Sequence, residues 1–375
     1  MGKKLLTLLL ALVICLGLAA PALAASGTYS SRTYSSTSDS GTYSDVPASS
    51  WAAEDIRRAA ELGLFQGIGG GKFGRGQPIT RAAFVTALTR LFRWEPVSPE
   101  EPSFSDVTPD RWFYTAVETA ASHGALLTEK GSFRPSEHIT REEMTVMLIR
   151  GMGYASLAGT LSREASPFTD VTVNRGFITM AYDMGIVNGV GDGRFAPKST
   201  AVREQAAAMM VRVYDKLWAP SRQVELSTGP VLSVATPKPV PGDEMPITPL
   251  EPLGDLYTTL RDAKAQGTDL SAAVLQLTPG GVCTLESHGA ALTTQIFSPE
   301  QVQEALGHPS AKLYFSPRYE SAYCIYKPNG YQSATLWYQS EESMAAKLQL
   351  ARLFGVDEYI FAQASLEAAC DKTEK

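Results

Sequence analysis

Three arginines stand at matched places in this chain. Arg81 lies in Ile79-Thr80-Arg81-Ala82-Ala83-Phe84, and Arg141 in Ile139-Thr140-Arg141-Glu142-Glu143-Met144. Arg203 lies in the more divergent Ala201-Val202-Arg203-Glu204-Gln205-Ala206. Each opens an apolar, helix-like run and puts a cation in the first turn, where unpaired N–H groups and a partial positive charge mildly disfavour it. A misfit repeated three times suggests an anion held jointly by the guanidinium and the helix end. The planar fork of a guanidinium suits a carboxylate or phosphate, to which it gives two parallel hydrogen bonds. A solvated arginine packing its stem on the helix is the plain alternative for any one of them.

Other residues recur with the arginines. Asp45, Asp106 and Asp170 each follow an aromatic-Ser/Thr pair, and Trp51 and Trp112 stand six residues past the first two aspartates. A carboxylate here either accepts hydrogen bonds from sugar hydroxyls or caps a turn. An indole either packs in a core or lies against a sugar ring. The set reads as a binding surface, with no catalytic residue, metal site or cofactor called for. His288 and His308 are isolated and read as ordinary loop residues. No Cys/His spacing of the metal-binding kind occurs.

The elements that must position these residues form an internal repeat. Its copies open at Tyr43-Ser44-Asp45-Val46, Phe104-Ser105-Asp106-Val107 and Phe168-Thr169-Asp170-Val171. A first helical run closes on Gly63, Gly124 or Gly185, which suits a left-handed helix stop. A turn follows, Gly71-Lys72-Phe73, Gly131-Ser132-Phe133 or Gly193-Arg194-Phe195, and then the arginine helix. Phe84, Val85, Leu88, Leu91 and Phe92 fall at helical spacing in the first copy. Thr140 and Glu143 form a capping box in the second copy, while Ala83 replaces the glutamate in the first. A two-helix unit cannot bury its apolar face alone, so the three copies are expected to bury theirs against one another in one all-α domain. The copies span 43–103, 104–167 and 168–219. In the third, Gly176 stands six past Asp170 and the first helix is about three residues shorter. That groove is therefore expected to bind more weakly. Because the arginines sit at helix starts that do not need them, their removal is expected to weaken binding and spare the fold.

Before the repeats, Lys3 and Lys4, an apolar Leu5–Leu18 and Ala22-Leu23-Ala24 read as a cleaved signal peptide over 1–24. A Ser/Thr-rich, disordered lead-in over 25–42 follows. Export, with no membrane anchor after cleavage, is the expectation. The full chain carries 33 basic and 39 acidic residues, a net charge of −6, without the basic footprint of a general nucleic-acid binder. Any anion must be caught by local charge. Past the repeats, eight prolines between Pro220 and Pro252 read as a stiff linker over 220–252. Residues 253–375 alternate helical and strand patterns and read as a small α/β module. Strands are expected at Ala273–Leu277, Lys312–Phe315, Thr335–Tyr338 and Glu358–Phe361, with helices at Asp255–Gln266, Pro299–Leu306 and Glu341–Phe354. An oxidising compartment permits a Cys283–Cys324 bridge, and three unpaired thiols, Cys370 included, fit equally well.

The pattern over 43–219 resembles the S-layer homology repeat, through Ser-Asp-Val with Trp six on, the Gly-x-Phe turn and Ile-Thr-Arg. That resemblance implies a pseudo-threefold trimer of helix-turn-helix repeats. It also implies inter-repeat grooves that hold secondary cell-wall polysaccharide, commonly with a ketal-pyruvate sugar, or modified peptidoglycan. Asp45, Trp51, Arg81, Asp106, Trp112, Arg141, Asp170 and Arg203 would then be the glycan contacts of a cell-wall or S-layer surface protein. This sequence departs from the family pattern in having Ala82-Ala83 after Arg81. The stretch Thr335 to Ser343, with Lys347 and Leu353-Phe354-Gly355, resembles the closing strand and helix of family 18 glycoside hydrolases. It implies a wall-anchored hydrolase, or a degenerate carbohydrate-binding relative, as the alternative. The Asp-x-x-Asp-x-Asp-x-Glu string of that family is missing here, and the module is half a barrel long.

Overall fold

The computed structural model describes residues 43–127, 131–225, 227, 229–234, 251–286, 293–316, 319, 321–331 and 333–361. The predicted signal peptide and lead-in, Cys15, His288, Cys370 and most of the proline-rich stretch lie outside the described residues.

Each repeat contributes a pair of helices. The first helices are α1 (Ala53–Glu61), α3 (Tyr114–Ser122) and α6 (Arg175–Asp183). The arginine helices are α2 (Arg81–Phe92), α4 (Arg141–Gly151) and α7 (Arg203–Leu217). A further helix, α5 (Ala155–Leu161), links the second and third repeats. The predicted glycine stops hold in all three copies: Gly63, Gly124 and Gly185 share φ +69°, which a side chain bearing a Cβ adopts only with strain. The Thr80 hydroxyl accepts the Ala83 N–H at the start of α2, and Thr140 and Glu143 form the full capping box of α4. Phe84, Val85, Leu88, Leu91 and Phe92 are all buried.

The repeats meet through a closed ring of backbone hydrogen bonds. The Ile79 N–H donates to the Ala201 carbonyl (3.1 Å), Ala201 to Ile139 (2.9 Å) and Ile139 back to Ile79 (3.0 Å). All three residues are buried, so each amide finds in the next repeat the partner that water cannot supply.

After α7, the described residues carry two sheets. The first is parallel, in the order β1 (Arg222–Gln223), β9 (Glu358–Phe361), β3 (Val274–Leu277) and β2 (Val231–Ser233). Helix α8 (Leu253–Ala265) connects β2 to β3, and α10 (Glu341–Phe354) leads into β9. Between β3 and α10 a five-stranded antiparallel sheet is inserted. Its strands are β4 (Gly281–Glu286), β5 (Thr293–Phe297), β6 (Lys312–Ser316), β7 (Ser321–Tyr326) and β8 (Ser333–Tyr338), in the order β5-β4-β8-β7-β6. Helix α9 (Pro299–Leu306) packs against it. A helical repeat region is thus followed by a small sheet-containing region. The stretch 220–252 differs from its reading as a linker throughout: β1 and β2 lie within it, because prolines at 220 and 230 precede the strands and leave their ladder N–H groups intact.

One apolar cluster runs from Tyr43 in the first repeat through Leu256, Leu353 and Tyr359. Helix α10 packs on both α7 and α8 and joins the two regions. At the head of α8, Glu251 accepts the Thr278 N–H (2.8 Å) and the Gln339 side-chain amide (2.6 Å), while the buried Lys347 ammonium reaches Gln339 (2.9 Å) and Glu251 (3.5 Å). Burial pushes the Lys347 ammonium down to about 8 against the pull of Glu251.

Cys283 and Cys324 are both free and buried, so the permitted disulfide is not made. Each pairs with Leu336 from opposite sides of β8. Two ladder spacings, about 9–10 Å, separate them, beyond the roughly 7 Å that a disulfide spans.

Gly176 lies inside α6 with its Cα against α5: a Cβ there would stand 1.8 Å from the Ala158 carbonyl oxygen. The close approach of the two helices requires this glycine. Gly176→Ala must push backbone from backbone, and we expect a loss of roughly 1–3 kcal/mol, read as a lower denaturation midpoint with an unchanged m-value.

Candidate functional site

The repeating arginine, aspartate and Gly-x-Phe turn converge on one phenylalanine. In the second copy, Asp106 accepts the N–H groups of Phe133 and Arg134 and the Ser132 hydroxyl, all at 2.7 Å. Asp45 holds Phe73, Gly74 and Arg75 in the same way (2.8–2.9 Å). Asp170 holds Phe195 and Ala196 (both 2.8 Å). The aspartates are therefore turn clamps, acting across some 25–30 residues of chain. Burial would raise each carboxyl, but the amides it accepts outweigh that and hold all three below the usual carboxylate value.

The carbonyl of the same phenylalanine belongs to the neighbouring repeat's arginine. Arg81 Nε donates to the Phe133 carbonyl (2.8 Å), Arg141 to Phe195 (3.0 Å) and Arg203 to Phe73 (2.9 Å). Each guanidinium also lies over the ring of that phenylalanine, at 5.0, 4.6 and 5.0 Å from the centroid. The arginines are thus not solvated surface charges. They are inter-repeat clamps, each reaching from one repeat into the next, and Arg203 closes the circle on the first.

The helix ends do not complete an anion site. The Arg81 N–H donates to the Glu137 carbonyl (2.9 Å), Arg141 to Ser199 (3.0 Å) and Arg203 to Gln77 (3.0 Å). The next amides, of Ala82 and Glu142, donate to Pro135 and Pro197. The neighbouring repeat's turn takes the first-turn donors that a bound anion would use. At these five amides only the side chains remain for a ligand.

Beside Arg81 lies a cavity of about 170 Å³, lined by Arg81, Ser132, Phe133, Glu143, Arg150 and Asn174 among others. It draws residues from all three repeats. Sequence reasoning did not single out Glu143 as a partner of Arg81. Its carboxylate is 2.7 Å from the Arg81 guanidinium and 3.2 Å from Arg134. The capping box offered a signal for that carboxylate's position, though not for its second partner. Burial lowers the arginines from their ordinary value; Glu143 opposes this at Arg81, and Asp170 does so at Arg141.

Trp51 and Trp112 are 60% and 70% exposed, so neither packs in the core, and neither lines the cavity beside Arg81. Both stand two residues before the first helix of their repeat. Counted from the aspartate, Gly176 takes that place in the third copy. Counted from the helix, Val173 does, two residues before α6 and 51% exposed. The three missing residues fall between Asp170 and the helix, so an apolar but aliphatic side chain occupies the third position. His308 bonds Ser310 locally and tilts against Tyr326.

The S-layer homology domain matches residues 42–85, 103–145 and 167–207. The chain carries three S-layer homology repeats, and the resemblance read from the sequence holds. It is 31% identical over 214 residues to an endoglucanase of Bacillus sp. (strain KSM-635), covering 56% of this chain and 22% of that one. It is 32% identical over 106 residues to a surface layer protein of Brevibacillus choshinensis, covering 26% of this chain and 9% of the other. The chain therefore spans about a fifth or less of the length of these relatives. Among solved structures, a putative sporulation-specific glycosylase from Bacillus subtilis is 17% identical, with a TM-score of 0.28 over 31% of this chain and 39% of that one. That likeness is too slight to carry fold or activity.

Two outcomes follow. Arg141→Ala or Arg203→Ala should lower the unfolding free energy by roughly 1.5–3 kcal/mol, the contribution of a charge-assisted hydrogen bond; denaturant unfolding of the full chain checks it. Because the aspartate carboxyls are depressed in the folded state, their contribution is present above about pH 4, the unfolded value, and is lost as pH falls through the lower folded values. Asp106→Asn should flatten this acid limb in melts taken between pH 5 and pH 2.

Proposed function

We propose that this chain is an exported surface protein that anchors non-covalently to the bacterial cell wall. Its three repeats bind secondary cell-wall polysaccharide or modified peptidoglycan in the grooves between them, around a pseudo-threefold arrangement. The observation that carries this reading is the circular set of inter-repeat clamps. Three guanidiniums, that of Arg81 buried and those of Arg141 and Arg203 half-buried, sit at equivalent junctions, each beside an aromatic turn, in a domain of the S-layer homology family. The ring of Ile79, Ile139 and Ala201 amides supports the threefold arrangement. Asp45, Asp106 and Asp170 serve the site by holding its turns, while Arg81, Arg141 and Arg203 present charge at the junctions. Trp51 and Trp112 are exposed and offer indole faces to a sugar. No helix among the described residues is long and apolar enough to cross a membrane.

Co-sedimentation of the secreted chain with purified wall sacculi tests the anchoring. A chain that stays in the supernatant with walls of its own organism refutes it. Trp51→Ala and Trp112→Ala should each weaken the association about two- to tenfold, matching an aromatic contact of roughly 0.5–1.5 kcal/mol. Because both rings are exposed, melting midpoints should stay where they are.

A further inference from the structure

The inserted sheet ends on an open, apolar edge. Strand β6 is the last in the order β5-β4-β8-β7-β6, and among the described residues no strand lies beyond it. Four of its five residues are exposed, and three of those are large and apolar: Leu313 (60%), Tyr314 (42%) and Phe315 (36%). A sheet edge is normally blunted by a proline, a bulge, charges or a covering helix, because its free N–H and C=O groups pair with extended chain. Apart from Lys312 at its start, β6 has none of these among the described residues. Its ladder with β7 runs unbroken through five residues, from Lys312 opposite Ile325 to Ser316 opposite Ser321.

Residues opposite one another across a ladder share a face. Leu313 and Phe315 stand opposite Cys324 and Ala322, on the side where α9 packs. Tyr314 points to the other side. There it stacks on Tyr323 (5.0 Å between centroids, 17° between planes), and Tyr323 leans on Trp337 (4.7 Å). The row of rings stops at Tyr314, on the open edge.

We infer that β6 pairs antiparallel with β6 of a second copy of this chain, with Tyr314 on the twofold axis. In that register the strand complements itself. Tyr314 meets its own copy and carries the row of rings across the axis. Leu313 of each chain meets Phe315 of the other, and Lys312 meets Ser316. Charge sets the direction. Antiparallel pairing holds the two Lys312 side chains at opposite ends, about 14 Å apart along the strands, whereas parallel pairing in register sets them side by side. Such a contact consumes both edges and stops at two chains. The opposite edge, β5, is polar where it is exposed, at Thr293 and Gln295, and offers no such match. Two five-residue edges bury less than the roughly 1,200 Å² of a standard interface, so a weak dimer is expected, with a dissociation constant of about 10–100 μM. Nothing in this pairing depends on the wall-anchoring reading above.

Sedimentation equilibrium of the secreted chain tests it. Between about 5 and 500 μM, monomer should pass to dimer. Leu313→Lys, at an exposed position, removes both Leu313–Phe315 contacts and should weaken the dimer about tenfold with an unchanged melt. Introduced cysteines report the register, in a chain that also carries Cys370→Ser; Cys283 and Cys324 are buried. Tyr314→Cys should oxidise to a covalent dimer, because residues paired on the axis stand about 5 Å apart at Cα, within reach of a disulfide. Lys312→Cys should not. A chain that stays monomeric across this range overturns the inference, even where the edge takes an added extended peptide. So does a dimer that Leu313→Lys leaves as tight as before, or one that Lys312→Cys captures as fast as Tyr314→Cys.

Discussion

One phenylalanine per repeat carries the architecture. The N–H of Phe73, Phe133 or Phe195 is taken by an aspartate of its own repeat, and the carbonyl by an arginine of the repeat before. The ring of the same residue is buried beneath the guanidinium. Fold within a repeat and assembly between repeats therefore depend on the same few atoms. A two-helix unit has no separate core to retreat to, which is why the third copy keeps this clamp although its tryptophan and threonine are gone.

The clamp constrains what the grooves can do. Neighbouring carbonyls accept the amides of Arg81, Ala82, Arg141, Glu142 and Arg203, so the starts of these helices have little donor capacity left for a ligand. In the proposed wall binding, the chemistry therefore falls to the side chains, the guanidinium edges among them. Small changes in the surrounding charges then alter a junction without altering its shape. Two residues past the arginines stand Ala83, Glu143 and Gln205, and of these Glu143 alone brings a carboxylate to a neighbouring repeat's arginine, Arg81.

The sheet-containing region is not a bead on a string. Helix α10 lies on α7 and α8, and the apolar cluster passes without a break from the repeats into β3 and β9. The Lys347–Gln339–Glu251 group ties the start of α8 to the end of the inserted sheet.

By itself, the sequence determined the repeat, its helix starts and stops, and the residues that recur. These are local properties. Glycine at a left-handed stop, threonine before an N-terminal turn and apolar residues at helical spacing each act within a few positions of the chain. The helices of the last region were legible for the same reason, as were β3, β6, β8 and β9, whose runs of β-branched and aromatic residues are bounded by turns. What only the tertiary structure decided was the partner of each polar group. Asp45 could cap a nearby turn or wait for a sugar; it holds Phe73 instead, which the chain brings back 28 residues later. Arg203 finds its carbonyl 130 residues away, because the circle of repeats closes on the first copy. Cys283 and Cys324 stand two strands apart, on either side of Leu336. Strands β1 and β2 were hidden among prolines, since a two- or three-residue strand is made by its neighbours rather than by its own composition. Spacing along a chain records which residues repeat. It does not record which repeat supplies the other half of a hydrogen bond, and in this protein that half comes from next door.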